Sequence, residues 1–207
     1  MTRHGVFAGA SCAALSLLFS FAGATRANAD LVWTPDLVHS RAEFLVSHLV
    51  VSKVWGHIPI ASMSLSTDSD GIPTTIAAVL NPGRLDTDNH DRDSDLRSAT
   101  YFDVATFPAM TFKSTAIKAT GKTDDGRPTF ECTGDLTIKS TTRSVVLEGT
   151  IEGKVPDPLG VRTGYSATTT IDRRDFGITD GKMNPMGVPI VGNDVHITLT
   201  VEATRPK

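Results

Sequence analysis

The densest run of potential ligand oxygens in this chain is Asp86-Thr-Asp-Asn-His-Asp-Arg-Asp-Ser-Asp95. Hard cations want clustered carboxylates of this kind. An EF-hand loop opening at Asp86 needs Gly where Asp91 stands and Glu where Arg97 stands, so that motif fails. The run reads better as the solvated start of a helix, with Asp91 and Asp95 as i,i+4 neighbours. Histidines other than His4 stand at 39, 48, 57, 90 and 196. None forms a His-Glu-x-x-His pair, and no metal is expected. His48 and His57, on or near a first hairpin, come nearest to a zinc pair. His48 also follows Phe44 and Val46 on one apolar face. A buried imidazole there needs a partner from protein, water or a ligand head group. Nucleophilic catalysis has no foothold: there is no Gly-x-Ser-x-Gly elbow, and Cys132 has no adjacent His or helix N-terminus. Phosphate-binding glycine loops are absent too. The nameable polar dyad is Arg92 with Asp93 or with His48.

The elements that would carry these residues are mostly strands. Alternation recurs in short runs bounded by Gly, Pro, Asn and Asp. Phe44, Val46 and His48 share one face of a first strand. Ile58–Thr67 and Thr74–Leu80 follow. Met110, Phe112 and Ser114 alternate with Thr111 and Lys113, and Phe130 to Ile138 alternates throughout. Lys139–Arg143 reads as a turn into Val145–Glu152, and Gly164–Ile171 and Val195–Glu202 complete the set. About eight strands with short connections predict an all-β antiparallel sandwich or barrel. One helix is expected over Asn89–Ser98. Asp88 or Asn89 caps it, Asp91, Asp93 and Arg97 complement its dipole, and Leu96 and Tyr101 anchor it inward. An eight-stranded barrel is either packed solid or holds one small ligand, and aromatics spread over most strands fit both cases.

The ends and composition narrow the setting. Arg3 and His4 precede an apolar run from Val6 to Ala24, and Ala27-Asn-Ala29 has small residues at −3 and −1. This predicts a secretory signal peptide over residues 1–29, cleaved after Ala29, and one domain over residues 30–207. The chain carries a net charge of −3, and loss of Arg3 and Arg26 makes it more acidic still. Such a chain has no electrostatic reason to bind nucleic acid or an anionic membrane as a whole. Of the two cysteines, Cys12 leaves with the leader, so Cys132 is expected as a lone, buried small hydrophobe.

Several motifs in order resemble the YceI family. They are Trp33, Asp36 and His39-Ser40; Phe44-x-Val46-x-His48; Thr87-x-Asn89 and Arg92-Asp93-x-x-Leu96-Arg97-Ser98; Tyr101-Phe-Asp103 and Phe107-Pro108; Gly134-x-Leu136-Thr-Ile138; Asp172-Arg173-x-Asp175-Phe-Gly177; and Val191-Gly-Asn-Asp-Val195. The resemblance implies an extended, eight-stranded lipocalin-like barrel that holds a polyisoprenoid or other long-chain lipid. It implies a periplasmic or secreted protein, often dimeric, with no established catalytic centre and no cofactor. Some relatives are associated with isoprenoid quinones or cytochrome b-type membrane redox systems. That leaves three readings: a lipid carrier, a quinone-presenting partner of such a redox system, and an enzyme on a lipid-like substrate. On the carrier reading, Phe44, Val46, Phe102, Phe107, Phe112 and Phe176 would contact the tail, and His48, Asn89 and Arg92 would stand near the head. Two departures bear on the pocket. The family usually has Gly-x-Phe where this chain has Gly56-His57-Ile58, and often Gly where this chain has Ser140.

Overall fold

The computed structural model describes residues 1, 30–158 and 160–206. The expected leader and its cleavage point lie outside the described residues, Met1 apart. The elements run β1 (Leu31–His48), β2 (Ser52–Ile58), β3 (Ile60–Thr67), β4 (Pro73–Leu80), α1 (His90–Arg97), β5 (Met110–Lys122), β6 (Pro128–Ile138), β7 (Thr141–Asp157), β8 (Gly160–Asp172) and β9 (Val191–Arg205). Paired neighbours are antiparallel throughout. β2 and β3 follow one path along β1, with β2 on its C-terminal half and β3 on its N-terminal end. Pro59 separates them because it has no N–H to give to a ladder. Counted as one interrupted strand they make an eight-stranded barrel, and the pairing of β1 with β9 closes it. The antiparallel barrel expected from the alternation is the fold observed.

Several strands are longer than their apolar runs. β1 starts at Leu31 rather than near Phe44, because Pro35 and Asp36 sit beside a register shift between Asp36 and Arg41. Shifts at Ile60/Ser62 and Ser114/Ala116 likewise reset which residues face inward. The β6–β7 turn is two residues, Lys139 and Ser140, and its positive φ falls on Lys139 (φ 55). Ser140 therefore needs no glycine-like conformation. α1 lies within the expected span. Asn89 caps it, its side-chain oxygen accepting from the Arg92 N–H at 2.9 Å, and Ser98 ends it.

The core divides along the barrel axis. One cluster gathers Trp33, Leu65, Phe130, Leu147, Tyr165 and Val201 where β3 turns into β4. The other gathers Ile58, Leu85, Met110, Ile171, Phe176 and Ile178, with Phe44, Leu96, Tyr101 and Phe102 packed on it. Leu96 and Tyr101 thus point inward from the α1 region, as its pattern predicts. Cys132 is fully buried in the first cluster, and burial pushes its thiol up to about 11. It behaves as a packing residue.

Candidate functional site

Between the two clusters the barrel encloses a cavity of about 210 Å³. Its wall is almost wholly carbon. Phe44, Val46, Phe102 and Phe112, four of the residues assigned to a lipid tail, stand on it. Inward parity puts them there: Ala42, Phe44 and Val46 alternate along β1, and Met110 and Phe112 along β5.

Three phenylalanines owe their positions to glycines across the sheet. A Cβ on Gly56 would lie 2.3 Å from the Phe44 ring, one on Gly134 2.4 Å from the Phe112 ring, and one on Gly149 2.2 Å from the Phe130 ring. Phe44 faces Gly56 in register, and Phe130 faces Gly149. Each ring lies over bare backbone, as aromatics do over strand glycines. The departure at Gly56-His57-Ile58 therefore keeps the glycine that Phe44 needs, and Ile58 supplies wall in its own right.

The other assigned residues stand elsewhere. Phe176 is 2% exposed and packs behind the wall in the second cluster. Phe107 lies in the turn after α1, where its N–H donates to the Asp103 carbonyl at 2.8 Å. His48 is not on the wall; it lies at the end of β1, past the point where β9 shifts register between Val46 and His48. His57 faces Glu43 rather than His48, so the two histidines are separated by roughly 16 Å of strand.

Asn89 and Arg92 also stand off the wall, and the structure gives them local work. Arg92 donates to the Thr87 hydroxyl at 2.8 Å and to the Thr87 carbonyl at 2.7 Å. The buried Asp93 carboxylate accepts the Thr87 N–H at 2.9 Å and its hydroxyl at 2.6 Å. Arg97 donates to the carbonyls of Gly83 and Leu85. These charges clamp α1 to the strand-like segment that precedes it. The Arg92–Asp93 dyad is turned to that segment, and neither Asn89 nor Arg92 lines the cavity.

Two other residues with polar side chains, Arg173 and Tyr101, do stand on the wall. The Arg173 guanidinium is buried and donates to the carbonyls of Gly192 (2.9 Å), Ile178 (2.6 Å) and Asp180 (2.8 Å). The Tyr101 hydroxyl donates to the Asp180 carboxylate at 2.9 Å. Burial, then that bond, pushes Tyr101 up to about 12, so it stays a neutral donor. The sequence does carry a signal for Arg173: it continues the inward series Tyr165, Ala167, Thr169 and Ile171.

Outside the cavity, ligand atoms of Asp36, His39 and Glu202 lie within 4.8 Å of one another. The Arg162 guanidinium donates to both carboxylates, to Asp36 at 3.2 Å, and so supplies the positive charge a metal would bring.

What the cavity can do follows from its cost. A void costs about 24 cal/mol per Å³, so about 5 kcal/mol for one of 210 Å³. That is comparable to a whole domain's net stability of roughly 5–15 kcal/mol. Water cannot recover it, because a wall of hydrocarbon offers too few hydrogen-bond partners. A hydrocarbon guest can.

Comparison with known proteins agrees with this geometry. Residues 33–203 match the model of the YceI-like domain. A UPF0312 protein of Pseudomonas fluorescens is 32% identical over 181 residues, 86% of this chain and 88% of that protein. One from Pseudomonas syringae pv. tomato is 34% identical over 171 residues, 81% of this chain and 86% of its own. Among solved structures, Burkholderia cenocepacia BcnA superposes with a TM-score of 0.66 at 20% identity, covering 82% of this chain and 99% of that one. A polyisoprenoid binding domain from Saccharophagus degradans superposes with a TM-score of 0.61 at 12% identity, covering 84% and 98%. With the matched region running from Trp33 on β1 to Ala203 on β9, across the whole barrel, the chain belongs to the family of proteins built on the YceI-like domain.

Proposed function

We propose that this protein is an exported lipid carrier that holds the apolar tail of a polyisoprenoid or similar long-chain lipid inside its barrel. The observation that carries the reading is the unfilled cavity of about 210 Å³ with a carbon wall. Each methylene that enters it contributes about 0.8 kcal/mol before losses. Arg173 and Tyr101 give the cavity a polar end, where a head group exchanges hydrogen bonds with groups already oriented. The description of the Saccharophagus degradans neighbour as a polyisoprenoid binding domain supports the same ligand class. The leader-like residues 1–29 support a periplasmic location. A binding role rather than catalysis fits a site whose wall is nearly all hydrocarbon.

The test is denaturing extraction and mass spectrometry of the protein purified from its own periplasm. A stoichiometric isoprenoid or long acyl species is expected. Phe112→Trp and Phe44→Trp, which fill the cavity from opposite sides of the Gly–Phe framework, should each reduce uptake of added lipid. A protein that arrives empty, takes up no lipid and is indifferent to both substitutions would sink the carrier reading.

A further inference from the structure

The end of the barrel that carries α1 ends on two apolar tips, and neither is needed to line the cavity. The β1–β2 turn consists of Leu49, Val50 and Val51, and Val50 and Val51 are 77% and 84% exposed. Trp55, on the returning strand, is also exposed. Beside it, a small hairpin runs from Lys182 to Ile190, closed by the Ile190 N–H donating to the Lys182 carbonyl at 3.0 Å. Its tip presents Met183 and Met186, the latter 88% exposed. The Asn184 side chain shapes that tip by accepting from the Met186 and Val188 N–H groups. The tips are joined: the Leu49 N–H donates to the Ile190 carbonyl at 2.9 Å. Val46 and Val191, which immediately flank them in sequence, stand on the cavity wall.

The turn chemistry is unusual. Leu49 and Val50 both have positive φ, 50 and 56. A turn with two such residues is ordinarily filled by Asn-Gly, because a β-branched side chain is disfavoured there. The chain instead holds two branched apolar residues in that conformation, with Leu49 half-buried and Val50 turned to solvent. Charge follows the same pattern. Segments 47–58 and 181–190 contain Lys53 and Lys182 and no carboxylate, in a chain with 23 acidic residues against 20 Lys and Arg. Lys182 lies 3.6 Å from Asp180, whose carboxylate is also engaged with Tyr101. Exposed apolar residues elsewhere, such as Val38 and Val155, stand close to the charges of Asp36, His39 and Arg162.

We propose that these two tips form a docking surface for an anionic phospholipid bilayer. Leu49, Val50, Val51, Met183 and Met186 enter the acyl boundary, Trp55 sits at the headgroup level, and Lys53 and Lys182 meet the phosphates. The net acidity of the chain, α1 at the same end included, opposes attraction of the whole surface, so approach is oriented by the two tips themselves. The docked protein presents the cavity-lining ends of β1 and β9 to the bilayer. The purpose of the surface rests on the carrier reading, but docking itself is measured without cargo.

The experiment is co-sedimentation of the mature protein with phosphatidylglycerol–phosphatidylethanolamine vesicles, and with phosphatidylcholine vesicles as the uncharged control. Binding to the anionic vesicles with a blue shift of Trp55 emission is expected. Leu49→Asn with Val50→Gly installs residues that favour the observed turn, so the variant should fold at least as well and bind roughly tenfold or more weakly. Val51→Ser with Met186→Ser, which leaves the two positive-φ residues alone, should weaken binding without a change in Tm. Lys53→Gln with Lys182→Gln should erase the preference for anionic vesicles. Equal binding by the wild type and both apolar variants would overturn the proposal, as would no binding by the wild type. A wild-type dimer that the Asn-Gly variant dissociates would assign the tips to a second copy and overturn it too. A protein that carries lipid but ignores vesicles overturns the docking alone. One that docks but carries nothing overturns the cavity reading alone.

Discussion

Where β3 turns into β4, the barrel is closed by aromatic side chains whose polar atoms are all engaged in its own backbone and hydroxyls. The Trp33 indole N–H donates to the Thr67 hydroxyl at 2.9 Å, and the Tyr165 hydroxyl donates to the Gly71 carbonyl at 3.1 Å. Phe130 meets Tyr165 edge to face, centroids 6.4 Å apart, and Lys154 and Arg205 flank the Trp33 ring. The connections are short turns, Asp68 to Ile72 and Thr123 to Arg127. At the α1 end two connections are long, residues 81–109 and 173–190, beside the short β1–β2 and β6–β7 turns, and Phe44, Leu96, Tyr101 and Phe102 are only half-buried. That end has its own packed cluster around Leu85 and Phe176, and the charged clamps of Arg92, Asp93, Arg97 and Arg173 tie its long connections down. Outside, the Asp36, His39, Arg162 and Glu202 charges stand at the sealed end, and apolar tips project from the other, which also carries the charged α1. One sheet thus has an end sealed by aromatics and an end whose long connections are clamped by charge.

The largest expected effect breaks the sealed end. Trp33→Ala should cost about 3–5 kcal/mol, read as a fall in the urea midpoint. Uptake per folded molecule should hardly change, because Trp33 is not on the cavity wall. A variant as stable as the wild type would mean that the packed end is not where stability resides.

At the other end, Asp93→Ala leaves the Thr87 N–H and hydroxyl without their acceptor. It should cost about 2–3 kcal/mol, since bonds to a charged acceptor are among the stronger ones. It should also speed release of a bound apolar fluorophore, measured by stopped flow, because α1 and Phe102 lose their anchorage. Unchanged release with lowered stability would separate the clamp from access. Phe102→Ala should cost less stability, about 1–2 kcal/mol for a half-buried ring, yet weaken fluorophore binding more than Trp33→Ala does. The reverse order would erase the functional distinction between the ends.

The same contrast explains what could be read in the sequence. Strands with uninterrupted alternation, such as Phe130 to Ile138, were legible residue by residue, and so was α1 with its Asn89 cap. Phe44, Val46 and Phe112 were legible on the wall because parity holds along their strands. Legibility failed where the β1–β9 register shifts: between Val46 and His48, and after Asp36, where the irregularity hid the first half of β1. Leu49-Val50-Val51 contains no turn former, so β2 did not announce itself. Asn89 and Arg92 were motif residues with an unmistakable pattern, but a pattern cannot say whether charges face a ligand or a neighbouring loop. The Gly–Phe pairs depend on which strands lie side by side, which no single strand encodes. Ligand identity lies beyond all of this, since a carbon wall recognises little besides length and shape.

The smallest expected effect concerns the charged rim of the sealed end. The hydrogen bond from His39, with the Arg162 guanidinium beside it, holds the Asp36 carboxyl at about 2, below its ordinary 3.8, despite partial burial. The same bond raises His39 above 6.5. A lowered carboxyl contributes stability that is complete above its ordinary value and fades as pH falls through about 2. A raised imidazole contributes stability that is complete below 6.5 and fades as pH rises through its folded value. The pair therefore counts most between 3.8 and 6.5. Asp36→Asn should lower Tm slightly within that window, by less toward pH 2, and by less on the alkaline side as His39 loses its proton. His39→Gln should reproduce the alkaline arm and leave the Arg162 contact in place. Salt should shrink both effects, because the groups are near the surface. If instead the Asp36→Asn deficit were flat from pH 3 to pH 9, Arg162 alone would be setting the carboxylate. The rim would then be a fixed charge lattice rather than a titrating one.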